Sequence, residues 1–258
     1  MPIYYKYKNQ IKLHDGDSFD VLKGIKNNSV DLIFADPPYF LSSSGITCKS
    51  GRMKSVNKAD WDKTLNINEI HEFNLHWITE CKKKLKDNGT IFISGTYHNI
   101  YSVGFCLQQL DFKILNDIAW FKVNPPPNLS CRYFTHATET IIWAKKNIKA
   151  KHKFNYQAMR SINDPAVNKQ MLSLWKITPP KKIEKKYGKH PTQKPIALLN
   201  RIVESSTDEG DLVLDLFCGS GTTGVACANY NRRFIGIDNN KEYLEVAKLR
   251  IRDALNIK

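Results

Sequence analysis

Leu212-Val213-Leu214-Asp215-Leu216-Phe217-Cys218-Gly219-Ser220-Gly221-Thr222-Thr223 carries the reading of the fold. An apolar run ending in an acid, then a glycine-punctuated turn, is how a buried strand hands over to a ligand loop. Gly219 and Gly221 allow a tight turn and a close approach of backbone to ligand that a side chain would obstruct. No Gly-Lys-Ser/Thr follows, so a phosphate-gripping loop is not expected. Far upstream, a second apolar run, Val30–Ala35, ends in Asp36-Pro37-Pro38-Tyr39. In an open α/β sheet, ligands sit outside the carboxyl ends of the strands. Two chemically loaded loops at two such ends predict one shared cleft.

The flanking segments fit an α/β fold with a mostly parallel, twisted, seven-stranded-type sheet. Residues 11–14 read as a strand leading to Gly16-Asp17, and Ser18 is expected to cap a brief helix carrying Phe19, Val21, Leu22 and Ile25. Residues 40–60, rich in Ser, Gly and Lys without periodicity, read as a mobile loop. Ile67, Ile70, Phe73, Trp77, Ile78, Cys81 and Leu85 recur at helical spacing, with Gly89 expected as the left-handed cap. The lysines at 82, 83, 84 and 86 then read as the solvated end of that helix. Strands are expected at 90–94, 114–123 and 140–144, with a helix near 100–110. Pro195 suits the first position of a helix. Strands 212–215 and 234–238 and helices near 222–229 and 241–255 complete the chain. Residues 1–146 and 190–258 thus form two halves of one domain, around an insert at 147–189 that is rich in lysines and aromatics.

Bulk properties limit the function class. With 258 residues, 41% of them hydrophobic, and no apolar run of bilayer length, a soluble, cytoplasmic globular protein without a membrane partner is expected. The first residues lack the apolar core of a signal peptide. Six scattered cysteines, with no Cys-x-x-Cys pair, read as reduced thiols. Lysine plus arginine outnumber acids 39 to 25, a net charge of +14, which favours a polyanionic partner such as nucleic acid. No metal is expected: His71, His76 and Cys81 wander around their helix instead of sharing one face.

The loops specify chemistry. Asp215 supplies a carboxylate suited to an amino group, and Asp238, ending the next strand, suits a pair of ribose hydroxyls. An amino group, a ribose and no phosphate describe S-adenosylmethionine. In the other loop, Asp36 and the Pro37 carbonyl can each accept a hydrogen bond from an exocyclic amine. Pro37 and Pro38 fix the backbone that presents these acceptors. Tyr39 offers a face on which an extruded base can stack, with Phe40 assisting. The combination points to methylation of a nucleic-acid amine.

On these motifs the chain resembles the β group of DNA amino-methyltransferases, circularly permuted so that the catalytic loop precedes the cofactor loop. The resemblance spans nearly the whole chain. It implies that Asp36, Pro37, Pro38 and Tyr39 are catalytic. It also implies that Asp215, Phe217, Gly219, Ser220, Gly221 and Thr222, with Asp238, hold S-adenosylmethionine. His190-Pro191-Thr192-Gln193-Lys194-Pro195 matches the segment beside the methionine part, through Thr192, Gln193 and Lys194, and Gly16-Asp17 the one flanking the adenine. Asp as the first catalytic letter is typical of adenine enzymes, and Ser of N4-cytosine enzymes. Lys58-Ala59-Asp60-Trp61-Asp62-Lys63, together with residues 34–42 and 128–136, resembles the second adenine methyltransferases of GATC restriction systems. That implies adenine-N6 methylation in GATC, on single-stranded and double-stranded DNA, and relatives of this kind often form homodimers. The insert 147–189 is the candidate for target recognition, its Lys, Arg, Asn and Gln being residue types that reach phosphates and base edges. RNA adenine, a glutamine amide, or a catalytically silent DNA-binding role on the same fold remain open alternatives.

Overall fold

Strand β3 (Val30–Ala35) is apolar apart from Asp31 near its start because both of its faces are covered. Leu32 and Phe34 point into one core, and Ile33 and Ala35 into the other. The same two-residue alternation recurs in β6 (Leu85–Gly95), with Phe92 on one side and Ile91 and Ile93 on the other. Helices α1 (Ser18–Lys23), α2 (Ile67–Lys84) and α3 (Ile100–Gln109) cover the face of Ile33. Helices α5 (Ile196–Ser206), α6 (Thr222–Asn229) and α7 (Lys241–Ala254) cover the face of Phe34. The result is a three-layer α/β sandwich.

A computed structural model describes residues 2–40, 46–49, 52–55, 66–163 and 169–257. The remaining strands of the main sheet are β1 (Ile3–Tyr7), β2 (Ile11–Asp15), β7 (Lys113–Phe121), β8 (Thr138–Lys145), β9 (Leu174–Lys176), β10 (Leu212–Asp215) and β11 (Arg233–Asp238). The nine-stranded sheet runs β1-β2-β11-β10-β3-β6-β8-β7-β9. Pairing from β2 through β6 is parallel, while β6, β8 and β7 are antiparallel neighbours. The expected seven strands are therefore joined by two edge strands, β1 and β9, that local patterning did not announce. β9 comes from the 147–189 segment and pairs in parallel with β7, setting Trp175 abreast of Trp120. Trp175, Ile177 and Met159 of helix α4 (Tyr156–Asn163) are buried, so this segment belongs to the core as well as to the surface. Among the described residues, no helix is long and apolar enough to cross a membrane.

Several local expectations are corrected. Asp17, not Ser18, caps α1: its carboxylate accepts from the backbone N–H of Phe19 at 2.8 Å. Ser18 instead donates its hydroxyl to the Leu216 carbonyl at 2.5 Å, tying α1 to the glycine loop, and Ile25 lies beyond the end of this helix. Gly89 caps nothing: α2 ends directly in the extended Leu85, and a Cβ on Gly89 would stand 3.0 Å from the Val30 carbonyl. Within 40–60, β4 (Ile46–Lys49) and β5 (Arg52–Ser55) pair as an antiparallel hairpin, and the rest of the loop expected beyond Phe40 lies outside the described residues. The lysine run is only partly a solvated end. Lys84 is buried and donates to the Ile25 carbonyl at 3.0 Å and to Asn27 at 2.7 Å.

Candidate active site

β10 and β3 are parallel neighbours, with Asp215 abreast of Phe34. From β10 the chain builds the sheet in one direction through β11, and from β3 in the other through β6. This is the topological switch point of the sheet, where the crevice of an open α/β fold lies. The glycine loop and the Asp-Pro-Pro-Tyr loop leave the sheet side by side there. Both line one cleft whose walls include Asp17, Asp36, Pro38, Phe217, Gly219 and Asp238. A second, smaller hollow shares Asp36, His190, Thr192, Phe217 and Gly219 with the first and adds Gln193, Lys194, Asp215, Ser220 and Thr222. The expected site residues thus converge, apart from Pro37, Tyr39 and Gly221, which stand behind the walls.

The glycine loop is shaped by close packing. Gly221 has φ +72°, and a Cβ there would come within 2.6 Å of the Ala247 Cβ on α7. Gly219 has φ +50°, and a Cβ there would meet the His190 ring at 2.9 Å. The loop's hydroxyls are held from behind. Arg250, buried on α7, donates to the Ser220 carbonyl at 2.6 Å, to Ser220 Oγ at 2.9 Å and to Thr222 Oγ1 at 3.0 Å. Arg250 was not singled out by sequence, and His190 only as the first letter of its motif; an arginine inside a helical periodicity carries no local sign of facing inward.

The acids do more structural work than expected. Asp238 accepts from the Gly219 N–H at 2.7 Å and from the Asn240 N–H at 2.9 Å. Burial, only partly offset by these N–H groups, raises its pKa. Asp215 accepts from Thr223 Oγ1 at 2.5 Å and the Phe217 N–H at 3.1 Å, and burial pushes its pKa up to about 7. A carboxyl whose folded pKa lies above its unfolded value destabilises the fold progressively as pH rises from the unfolded toward the folded value. Asp215→Asn should therefore gain stability relative to the native protein at pH 8 compared with pH 5. Urea unfolding of both proteins at the two pH values tests this; parallel pH dependences would exclude it.

Asp36 emerges from β3 half-buried. Its Oδ1 accepts the Tyr39 hydroxyl at 2.6 Å and the Ser94 hydroxyl, and its Oδ2 accepts the Lys194 ammonium. Lys194, expected beside the cofactor, reaches under the catalytic loop as well as lining the smaller hollow, its Nζ 3.1 Å from the Tyr39 oxygen. Tyr39 is only 6% exposed, so Pro38, not the tyrosine ring, forms the open face of the loop toward the cleft. The loop is braced through Trp77, whose indole donates to Asn74 at 3.0 Å, then Asn74 to Asn99 at 2.5 Å, then Asn99 to the Pro38 carbonyl at 3.2 Å. Phe40 closes the loop in the left-handed region, φ +56°, with its ring edge on Phe73 at 5.6 Å between centroids. A bulky residue there is strained, as segments at functional sites often are.

Among the described residues, the walls of the larger cleft carry three carboxylates (Asp17, Asp36, Asp238) and no lysine or arginine, in a chain of net charge +14. His190 is held neutral: burial, reinforced by Lys194 and Arg250, lowers its pKa to about 4. Such a cleft attracts a cationic ligand and disfavours a phosphate. Phe19, Phe73, Phe217 and Tyr243 add apolar faces.

A family model described as DNA methylase, covering N6 and N4 methyltransferases, matches residues 30–249. The chain belongs to this family. It is 56% identical over 248 residues to the type II methyltransferase M2.DpnII of Streptococcus pneumoniae, covering 96% of this chain and 91% of the relative. It is 49% identical to M2.MboI of Moraxella bovis, over 96% of this chain and 90% of that one. The fold of this DNA methylase matches the crystal structure of the M1.HpyAVI-SAM complex with a TM-score of 0.70 at 33% identity, covering 93% and 98% of the two chains. It also matches the cytosine-N4-specific PvuII DNA methyltransferase with a TM-score of 0.74 over 96% and 92% of the chains; at 20% identity this second likeness speaks for the fold alone. The protein is thus an enzyme that methylates DNA, on the permuted methyltransferase fold.

Proposed function

We propose that this DNA methylase transfers a methyl group from S-adenosylmethionine to N6 of adenine in GATC, on single- and double-stranded DNA, within a restriction-modification system. The observation that carries the reading is the Asp36 carboxylate, braced at the end of β3 and facing the same cleft as the glycine loop. An aspartate in that place favours adenine over cytosine. The site fits the methyl donor. Gly219 and Gly221 leave room where side chains would clash, and the carboxylates around a neutral His190 suit the donor's sulfonium and amino charges. Asp238 stands where ribose hydroxyls would meet it, Asp17 beside the base, and Thr192, Gln193 and Lys194 beside the methionine part. Gln193 Oε1 is buried without a hydrogen-bond partner among the described residues, and so offers an acceptor to a ligand amine.

S-adenosylmethionine would supply an electrophilic methyl, the C–S bond breaking to leave S-adenosylhomocysteine as the N–C bond forms and the methylated amine releasing one proton to solvent, with no covalent enzyme intermediate. The amine is the difficult partner, because its lone pair is delocalised into the ring. Asp36 Oδ2 and the Pro37 carbonyl accept its two hydrogens and favour a pyramidal nitrogen. Because Tyr39 and Ser94 already hold the carboxylate, little reorganisation remains for the transition state. In duplex DNA the adenine must first leave the stack. Pro38, on the open face, and Tyr39 behind it receive the flipped base, the tyrosine after a small opening of the loop. The 147–189 segment contributes to target recognition. The enzyme works in the cytoplasm, alone or as a homodimer, and the chemistry requires no metal.

Purified protein incubated with tritiated S-adenosylmethionine, GATC and scrambled duplexes, their single strands and an RNA equivalent tests the reading. Label should appear in GATC DNA of both forms and be recovered as N6-methyladenine. Recovery as N4-methylcytosine, or label in RNA alone, would overturn it.

A further inference from the structure

Resting on that reading, the geometry points to Glu139 as a positioning residue that takes over Lys194 when the target amine occupies Asp36. Glu139 sits near the start of β8, where Thr138-Glu139-Thr140 looks like an ordinary polar strand end. Its side chain is nevertheless 11% exposed, and its Oε2 lies 3.8 Å from Lys194 Nζ and 3.5 Å from the Tyr39 hydroxyl. Its Oε1 is held by Lys122, whose side chain is 26% exposed at the rim. Half-buried Asp36 and buried Glu139 thus flank one buried ammonium, with the contact to Asp36 the shorter.

The arrangement has a consequence for catalysis. A carboxylate offers about four acceptor sites, two on each oxygen. Tyr39 and Ser94 fill both on Asp36 Oδ1, and Lys194 takes one on Oδ2. The incoming amine must share Oδ2 with a full positive charge, while methyl transfer brings positive charge onto that same amine. An ammonium held there opposes the transition state. The lysine cannot simply leave, because an unpaired buried charge is costly. Glu139 removes the conflict. Lys194 Nζ already lies between the two acids, so a shift of about an ångström replaces one salt bridge with the other, and Lys122 keeps Glu139 fixed to receive it. Asp36 then meets the amine with its acceptors free of the competing cation.

The test compares Glu139→Gln and Glu139→Asp with the native enzyme. Glu139→Gln should lower the single-turnover rate about tenfold, the scale of coupling within a shared charge network, with S-adenosylmethionine affinity by calorimetry unchanged. Glu139→Asp should recover part of the rate. In a Lys194→Met background, the further change Glu139→Gln should have no additional effect, because the cation it receives is gone. A binding readout needs no turnover. With S-adenosylhomocysteine bound, native enzyme should prefer an oligonucleotide with adenine at the target over one with purine, which lacks the amine, and Glu139→Gln should lose that preference. Native rates in Glu139→Gln, additive effects with Lys194→Met, or an unchanged adenine preference would each refute the hand-over. A native enzyme with neither methyl transfer nor any adenine preference would instead refute the functional reading on which it rests.

Discussion

Asp36→Ala is expected to lower the single-turnover rate of methyl transfer by about 10³-fold, the upper range for removing one preorganised group from a polar transition-state site. Affinity for S-adenosylmethionine should change only a few-fold, because the glycine loop and the surroundings of Asp238 are left intact. The variant also deprives buried Lys194 of its closest acid. Breaking a buried pair costs about 3–5 kcal/mol when the remaining charge is left alone, but Glu139, 3.8 Å away, softens the loss here. A measurable fall in thermal midpoint should therefore accompany a folded, cofactor-competent, inactive protein. Rapid-quench methylation beside calorimetry separates the two effects. A native rate in Asp36→Ala would remove this carboxylate from the mechanism.

Gly221→Ala should abolish cofactor binding and strongly destabilise the fold. Its φ of +72° costs an alanine about 1–2 kcal/mol, and the new methyl would stand 2.6 Å from the Ala247 Cβ and 2.9 Å from its Cα. The second contact is helix backbone, which cannot step aside as a flexible side chain can, so overpacking adds about 1–3 kcal/mol. Together these consume a large share of the roughly 5–15 kcal/mol that holds a typical domain folded. Gly210→Ala is the matched control, since Gly210 has φ +79° but nothing within 4 Å of its Cβ position. It should show the backbone strain alone. Urea unfolding of both variants measures the difference, and equal losses would mean that the close packing of the glycine loop on α7 contributes nothing.

Much of this protein was legible in one dimension. The apolar runs at 30–35 and 212–215, the helical spacing from Ile67, and the glycine turn after Asp215 are local periodicities and backbone requirements. They therefore fixed the α/β class, most element positions and both loops of the site. Local signals failed where a side chain had a distant alternative. Ser18 looks like a cap, but its hydroxyl finds the Leu216 carbonyl, and Asp17 caps in its place. Edge strand β9 is three residues long and gains its place only by pairing with β7.

Tertiary structure alone decided the chemistry's surroundings. Lys194 and Asp36 are 158 positions apart, and Tyr39 and Glu139 are separated by 100. They meet because β10 lies beside β3, and β6 and β8 follow it in the sheet, so the ends of distant strands crowd one crevice. A sequence states which residues can carry charge and which stretches will be strands. It does not state which strand ends become neighbours, and buried charges choose their partners from those neighbours.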